Sequence, residues 1–160
     1  MRLRTARLAD AGAGARVHHA TWVSTYGGLL PAEFWSTHTL AERTRSWQRS
    51  LMRGFAPTLA EVDDEIVGIA HASPALRQHG VAPVRDSQLW MLYVLDGHHG
   101  TGVGQALLDA VVAPGTPCQL WVAEDNARAR RFYERNGFVV EGARITDDAF
   151  AGITEIRMVR

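Results

Sequence analysis

Apolar positions recur along the chain with two spacings, and these spacings predict a series of short strands and helices. Short apolar or alternating runs bounded by turn residues indicate strands, whereas apolar residues that repeat every three or four positions indicate helices. Strands are predicted over residues 2–7, 58–62, 65–71, 87–95, 118–123, 137–145 and 152–159. Helices are predicted over residues 10–24, from residue 31 with a continuation over 39–53, over 102–113 and over 126–136.

Residues with special turn chemistry mark several of these boundaries. Asp10 is a candidate N-cap for the first helix, and the Asn–Gly pair at 136–137 is a helix stop. Asp63 and Asp64 join two strands as a two-residue hairpin turn. Antiparallel strands first and a strand–helix–strand–helix segment later predict an α/β fold. It has a mixed, mostly antiparallel central sheet with helices on both faces, in a single domain over residues 1–160.

The composition is that of a globular protein without marked charge. Hydrophobic residues make up 46% and charged residues 21%, and 17 basic side chains balance 17 acidic ones. This balance argues against binding to nucleic acid or to a membrane surface. The N-terminal sequence lacks the apolar segment of a signal peptide and no apolar run is long enough to span a bilayer, so a cytoplasmic location is expected. Cys118 is the only cysteine, which argues against a disulfide framework and a cysteine metal site.

The most informative segment is a glycine-rich turn between the apolar strand at residues 89–94 and a predicted helix. It is here called the glycine turn and consists of His99, Gly100, Thr101, Gly102, Val103 and Gly104. Glycine allows positive φ and lets a ligand approach the backbone closely. The unbonded N–H groups and the dipole of a helix N-terminus favour an anion. We therefore expect a phosphate or diphosphate ligand at the glycine turn.

Two common phosphate-binding motifs do not match the glycine turn. A P-loop requires Lys and then Ser or Thr after its second glycine, where this chain has Val103 and Gly104. A dinucleotide-binding fingerprint requires a third glycine or alanine, where the two registers place Gln105 and Leu107. The turn also lies late in the chain, with too little sequence behind it for a doubly wound sheet. Both nucleotide motifs are therefore disfavoured.

The glycine turn resembles motif A of the GNAT superfamily of acyl-CoA-dependent N-acetyltransferases, which reads Gln/Arg-x-x-Gly-x-Gly/Ala. His99 stands at the Gln/Arg position, and Gly102 and Gly104 match the two small residues. Residues 126–138 are similar to the pattern Asn-x-x-Ala-x-x-Phe-Tyr-x-x-x-Gly-Phe of motif B. The two motifs occur in the family's order and spacing, and the resemblance is close over residues 87–142.

The resemblance implies the GNAT fold and an enzyme that uses acetyl-CoA and no metal ion. The acetyl group would pass to a primary amine of an unidentified small molecule or peptide. The backbone N–H of Leu92 is expected to stabilise the oxyanion, and Tyr133 to protonate the departing thiolate. The residues implied to contact acetyl-CoA are Leu92, Tyr93, Val94, the six residues of the glycine turn, Asn126, Ala129 and Tyr133.

Four residues are expected to border the acceptor amine. Trp22 and Tyr26 lie four apart on the first predicted helix, and core packing is an equally open interpretation of this pair. Gln88 and Trp90 face one side of a predicted strand. Many family members carry a glutamate near the Gln88 position that acts as a base, which an amide cannot do. The substitute bases considered are Glu61, His71, Asp86 and Glu124.

Several alternatives stay open at the level of the sequence. A non-catalytic acyl-CoA sensor or scaffold on the same fold fits the amide at Gln88, and a nucleotide-binding enzyme is a second rival. The resemblance leaves a homodimer open, and nothing in the sequence identifies the acceptor. The adjacent histidines His98 and His99 are expected to form a solvent-exposed pair rather than a metal site, because neighbours in a turn point apart.

Overall fold

The structure of the protein is a computed structural model that describes residues 1–147 and 152–160. The strands within these ranges are β1 Arg2–Thr5, β2 Thr58–Val62, β3 Glu65–Pro74, β4 Ser87–Val94, β5 Gln119–Ala123, β6 Val139–Asp147 and β7 Ile153–Val159. The α-helices are α1 Ala11–Tyr26, α2 Ala32–Thr37, α3 Leu40–Met52, α4 Val103–Val111 and α5 Ala127–Arg135. Short 3-10 helices lie at Leu8–Asp10 and Asp96–His98. All the predicted strands and helices are therefore confirmed, with boundaries shifted by a few residues.

The strands are hydrogen bonded in the order β1-β2-β3-β4-β5-β7-β6. Strand β5 pairs parallel with β4, whereas β2 with its two neighbours and β7 with its two neighbours pair antiparallel. The predicted mixed, mostly antiparallel sheet with helices is therefore confirmed. None of the described helices is long and apolar enough to cross a lipid bilayer.

Contacts divide the chain into two compact units. Unit 1 contains residues 1–71 and 91–111, and unit 2 contains residues 72–90 and 112–160. Each unit is described by itself below. That residues 1–160 form a single domain stays a prediction.

In unit 1, helices α1 and α3 pack against each other at a glycine. Gly14 is buried in α1, and a Cβ at this position would lie 2.3 Å from a ring carbon of Trp47 on α3. Trp47 is 4% exposed, so it is a core residue. The buried residues of this core cluster are Ala11, Ala15, Val17, Trp47, Leu59, Ile66 and Ile69.

The start of α1 differs from the sequence prediction. Asp10 lies at the N-cap position, but its carboxylate makes no capping hydrogen bond to α1. It accepts instead from the backbone N–H of Arg7 at 2.7 Å and from the Arg4 guanidinium at 2.8 Å. The prediction that the Asp10 side chain caps α1 is therefore wrong. Arg4 on β1 competes for the carboxylate, and the same hydrogen bonds hold the pKa of Asp10 below its usual range.

The turn between β2 and β3 is the predicted two-residue hairpin turn. Asp63 and Asp64 both have positive φ, 49° and 63°. This is the signature of a type I′ turn, whose twist matches that of the flanking strands and which favours Asn–Gly. The prediction of this hairpin is confirmed. Asp63 is a favoured residue at the first position, whereas Asp64 stands where Gly is preferred.

The strain at this turn gives a stability prediction. The left-handed conformation at position 64 costs an L-residue about 1–2 kcal/mol, and Gly adopts it without this cost. The gain from Asp64→Gly is partly offset by the entropy that Gly loses on folding. Asp64→Gly is therefore expected to raise the free energy of unfolding by roughly 0.5 kcal/mol, or 1–2 °C in Tm. Thermal unfolding measures the effect, with Glu65→Gly at the start of β3 as a control that should lower Tm. A lower Tm for Asp64→Gly would contradict the prediction.

In unit 2, the C-terminal end of α5 is the predicted glycine stop. Gly137 has φ +81°, and the backbone N–H of Phe138 donates to the Tyr133 carbonyl at 3.0 Å. These contacts end the helix and turn Phe138 into the interior, where it is fully buried. Tyr133 is therefore held on the last turns of α5 by both the helix and its stop.

Candidate functional site

The glycine turn has a left-handed backbone conformation at two of its glycines. Gly100 and Gly102 have φ of +76° and +91°, and α4 begins at Val103. A Cβ added at either glycine would meet no atom of the described residues within 4 Å, its chain neighbours aside. The backbone at these glycines is therefore open, and the first N–H groups of the nine-residue helix α4 have no intrahelical acceptor.

Buried apolar side chains hold α4 in unit 1. Three side chains of α4 are buried, those of Val103, Leu107 and Leu108. The first two pack against the backbone of Gly68 on β3. A Cβ at Gly68 would lie 2.8 Å from Leu107, so glycine lets the helix approach the strand closely. This packing fixes the helix N-terminus after β4.

His99 stabilises the glycine turn from inside. Its Nε2 lies 2.8 Å from the Val94 carbonyl oxygen, and its Nδ1 lies 3.6 Å from a carboxylate oxygen of Asp96. The neighbouring Thr101 hydroxyl donates to the His98 carbonyl at 2.8 Å. Both histidines are partly buried, so the expectation of a solvent-exposed pair is wrong. The reason is that the 3-10 turn folds the His99 ring back onto the end of β4.

An aromatic cluster joins α1 to the end of β4 within unit 1. It consists of His18, Trp22, Tyr26 and Tyr93. The indole N–H of Trp22 donates to the Tyr93 hydroxyl at 3.0 Å, and the His18 ring stacks on Tyr93 at 4.7 Å. The Trp22 and Tyr26 rings contact edge to face at 5.3 Å. The structure therefore brings both predicted acceptor residues of α1 together with Tyr93, a predicted acetyl-CoA contact.

His18 and Arg43 are candidate functional residues that the sequence did not single out. Arg43 Nη1 lies 2.9 Å from His18 Nε2, and the indole nitrogen of Trp47 lies 3.3 Å from His18 Nδ1. Burial, with a smaller effect of the Arg43 charge, lowers the pKa of His18 to about 3. A neutral imidazole has one acceptor nitrogen, and the shorter, charge-assisted contact with Arg43 takes it. The sequence pattern could have indicated Arg43, because this arginine occupies a position of α3 where the helical pattern has apolar residues.

The same part of unit 1 contains a cavity of about 630 Å³. This size suits a small molecule. Helices α1 and α3, the segment that joins α2 to α3, Phe55 and Met91 of β4 line the cavity. The side chains His18, Arg43 and Trp47 belong to its lining. The cavity therefore reaches Met91, which directly precedes Leu92 on β4.

In unit 2, motif B forms a capped helix. The Asn126 side-chain oxygen accepts from the Ala129 N–H at 3.0 Å, so the predicted N-cap is confirmed. Tyr133 lies seven residues after Asn126 and is 8% exposed. Its ring contacts those of Phe132 and Phe138 at 5.4 and 5.8 Å. The contacts of Asn126, Ala129 and Tyr133 with acetyl-CoA stay predictions.

Gln88 lies in a chain of buried amides within unit 2. Its side-chain nitrogen donates to Gln78 at 2.6 Å, and its oxygen accepts from Gln119 at 2.8 Å. Gln119 in turn accepts from the backbone N–H of Val84 at 2.8 Å. Gln88 is 1% exposed and links β4 to its parallel neighbour β5. The structure thus gives it a scaffold role, and its contact with the acceptor stays a prediction.

Trp90, the other predicted acceptor residue of unit 2, has a different environment. Its indole nitrogen is buried and has no hydrogen-bond partner among the described residues. Its contact with the acceptor stays a prediction. Two of the substitute bases are engaged in ion pairs, Glu61 with Arg4 and Glu124 with Arg144. Neither carboxylate is singled out as the base.

A model of the acetyltransferase (GNAT) family matches residues 16–138. The chain belongs to this family. Both sequence motifs, the glycine turn and residues 126–138, lie within the matched range. The resemblance seen in the sequence is therefore confirmed for this GNAT protein.

Individual relatives agree with the GNAT assignment. A probable N-acetyltransferase of Mycobacterium tuberculosis is 28% identical over 160 residues, which cover 96% of this chain and 88% of that protein. The structure of a PaiA N-acetyltransferase of Thermoplasma acidophilum in complex with coenzyme A covers 100% of this chain and 99% of its own, with TM-score 0.65 and 18% identity. A ribosomal-protein-alanine N-acetyltransferase of Brucella melitensis covers 100% and 99%, with TM-score 0.69 and 20% identity. The two structures establish the GNAT fold.

Proposed function

We propose that this GNAT protein transfers the acetyl group of acetyl-CoA to a primary amine of a small molecule or peptide. The observation that carries the proposal is the glycine turn, in which two open, positive-φ glycines lead into the N-terminus of α4. The family supplies the reaction class, and the turn supplies the chemistry that suits a diphosphate-bearing co-substrate. No group of three or more potential metal ligands occurs in the described part of the chain, and the proposed reaction uses none.

The glycine turn is proposed to bind the diphosphate through its backbone. The N–H groups after Gly102 point along the axis of α4, where the helix dipole favours negative charge. His99 supports this arrangement from the protein side, because its Nε2 contacts the Val94 carbonyl. In this proposal the backbone supplies most of the affinity, and His99 fixes the shape of the turn.

The proposed transfer is direct. The acceptor nitrogen attacks the thioester carbonyl, forming a C–N bond and a tetrahedral oxyanion that the Leu92 N–H stabilises. The C–S bond then breaks, Tyr133 protonates the sulfur, the proton of the amine passes to solvent, and solvent returns a proton to Tyr133. His18 contributes no base in its observed state, because its depressed pKa makes it a weak proton acceptor. The amine is therefore expected to react after deprotonation by water or a weak base.

An acetyl-transfer assay with a panel of amines tests the proposal. Formation of free CoA in proportion to acetylated amine is the expected result. The rival function is a non-catalytic acyl-CoA sensor or scaffold, which the buried amide of Gln88 leaves open. Binding of acetyl-CoA without turnover of any amine would favour that rival. Stabilisation by ATP or NAD but not by CoA would overturn the acyl-CoA assignment.

A glycine substitution tests the cofactor site. Gly102→Ala places a methyl group in the open space above the turn, where the proposed diphosphate approaches. The dissociation constant of CoA is expected to rise by about tenfold or more, equivalent to 1.4 kcal/mol or more. Isothermal titration calorimetry with CoA measures this change.

Gly54→Ala is a matched control for this experiment. Gly54 has the same φ of +91° and the same open surroundings, so alanine pays the same backbone cost there. Its CoA affinity should equal that of the parent protein. If Gly102→Ala binds CoA as tightly as Gly54→Ala, the diphosphate does not lie on the glycine turn.

A further inference from the structure

The cavity in unit 1 has a charged lining that is mostly basic. Three arginines line it, Arg43, Arg49 and Arg53, together with one carboxylate, that of Glu42. Glu42 is already ion-paired and hydrogen bonded with Arg45 on the same helix. The arginines of the cavity therefore exceed the carboxylates available to neutralise them.

Arg43 has surroundings that lack an anion. Its guanidinium carbon lies 5.1 Å from the centre of the Trp22 ring, and its Nη1 contacts the neutral His18 ring. Among the residues that the structure describes, its buried Nε has no hydrogen-bond partner and no carboxylate pairs with the guanidinium. The cation–π contact offsets only part of the desolvation cost of a half-buried charge.

We propose that this cavity binds the anionic group of the acceptor, so that the acceptors are primary amines that also carry a carboxylate or phosphate. Arg43 is the specificity-determining residue, because a bound anion would supply its missing counter-charge. A guanidinium suits a planar, two-oxygen partner such as a carboxylate or a phosphate. The inference rests on the proposed acetyl transfer, and it names the class of acceptor.

The position of the cavity fits a role in acceptor binding. Met91 lines it and directly precedes Leu92, the proposed oxyanion residue. The His18 ring also lines it and stacks on Tyr93, the residue after Leu92. An acceptor held at Arg43 therefore occupies a cavity bounded by the reacting strand.

Matched pairs of acceptors test this proposal. Amino acids are compared with their carboxamides, and phosphoethanolamine with ethanolamine, in the acetyl-transfer assay. The parent protein is expected to favour the anionic member of a pair by at least about tenfold in kcat/KM, the usual order for a charged hydrogen bond. The two pairs distinguish a carboxylate from a phosphate as the recognised group. No preference within either pair would overturn the proposal.

Variants of Arg43 locate the recognition. Arg43→Gln should abolish the preference by lowering kcat/KM only for the anionic acceptors, and Arg43→Lys should restore part of it. Arg16→Gln removes the same charge from an exposed position of α1 and should keep the parental preference. If Arg43→Gln lowers kcat/KM equally for charged and neutral acceptors, Arg43 is a structural residue and the assignment is wrong.

A binding measurement separates this inference from the proposed function. The anionic compounds are added without acetyl-CoA, and thermal unfolding of each variant is followed. A rise in Tm of the parent and of Arg43→Lys, but not of Arg43→Gln, supports the anion site even if no amine is acetylated. If acetyl transfer occurs but neither compound class shows Arg43-dependent binding or turnover, the anion site is overturned while the proposed function stands.

Discussion

A Tyr133→Phe variant is expected to transfer acetyl groups with a kcat lowered by about 10² or more, because a positioned acid contributes roughly 10²–10⁴ in rate. The substitution deletes the phenolic hydroxyl and keeps the ring that packs against Phe132 and Phe138. In the proposed mechanism this hydroxyl protonates the thiolate as the C–S bond breaks. A phenol with a pKa of about 10 is protonated at neutral pH and can supply that proton.

The identity of the leaving group provides the control for this prediction. An acetyl aryl thioester releases a more acidic thiol, which departs as a thiolate without needing a proton. Tyr133→Phe should therefore lose much less activity with this donor than with acetyl-CoA. Single-turnover kinetics with acetyl-CoA show whether chemistry limits the rate, and calorimetry shows whether CoA affinity is kept. A kcat within a few-fold of the parent value, with chemistry rate-limiting, would assign Tyr133 a packing role alone.

A Gly14→Ala variant is expected to lose about 1–3 kcal/mol of unfolding free energy, the usual cost of overpacking a core. The new methyl group would lie 2.3 to 2.7 Å from three ring carbons of Trp47. Trp47 is buried, so helices α1 and α3 must move apart or the ring must leave its position. The corresponding fall in Tm is roughly 2–12 °C for a chain of this size.

Gly12→Ala is the matched control, two residues earlier on the same helix. Outside its own helix backbone, a Cβ at Gly12 would meet no described atom within 4 Å, and the residue is exposed. Alanine is the better helix former, so this variant should gain up to about 0.5–1 kcal/mol. The same substitution thus has opposite signs at the two sites. Combining Gly14→Ala with Trp47→Leu should cost less than the sum of the two single variants, because the clash is removed. Strict additivity would contradict the packing argument.

Local chemistry explains why much of the fold and part of the site could be predicted from the sequence. Positive φ at Asp63 and Asp64, and at Gly102, follows from turns defined by two to six neighbouring residues. The Asn126 cap likewise depends on a backbone N–H only three residues away. Such features need no distant partner, so a short stretch of sequence is enough to predict them.

The prediction of the Asp10 cap failed because a side chain of another element competed for the carboxylate. The Asp10 carboxylate had the right position for a cap, but Arg4 of β1 took it in a bidentate hydrogen bond. The hydrogen bonds of the Gln88 amide with Gln78 and Gln119 also could not be predicted from the sequence, and its contact with the acceptor stays a prediction. A charge-assisted or buried hydrogen bond outweighs a local preference that is worth about 1 kcal/mol.

By itself, the sequence determined the order of strands and helices, the hairpin, the glycine turn and the family. The tertiary structure alone decided which side chains share a cavity. His18, Arg43 and Tyr93 come from α1, α3 and β4, and Arg43 is 25 residues from the His18 ring that it contacts. Packing of the helices against the strand removes water from the arginine without providing a carboxylate. No spacing along the chain encodes a partly buried arginine without a carboxylate partner, because this arrangement exists only once the three elements are packed together.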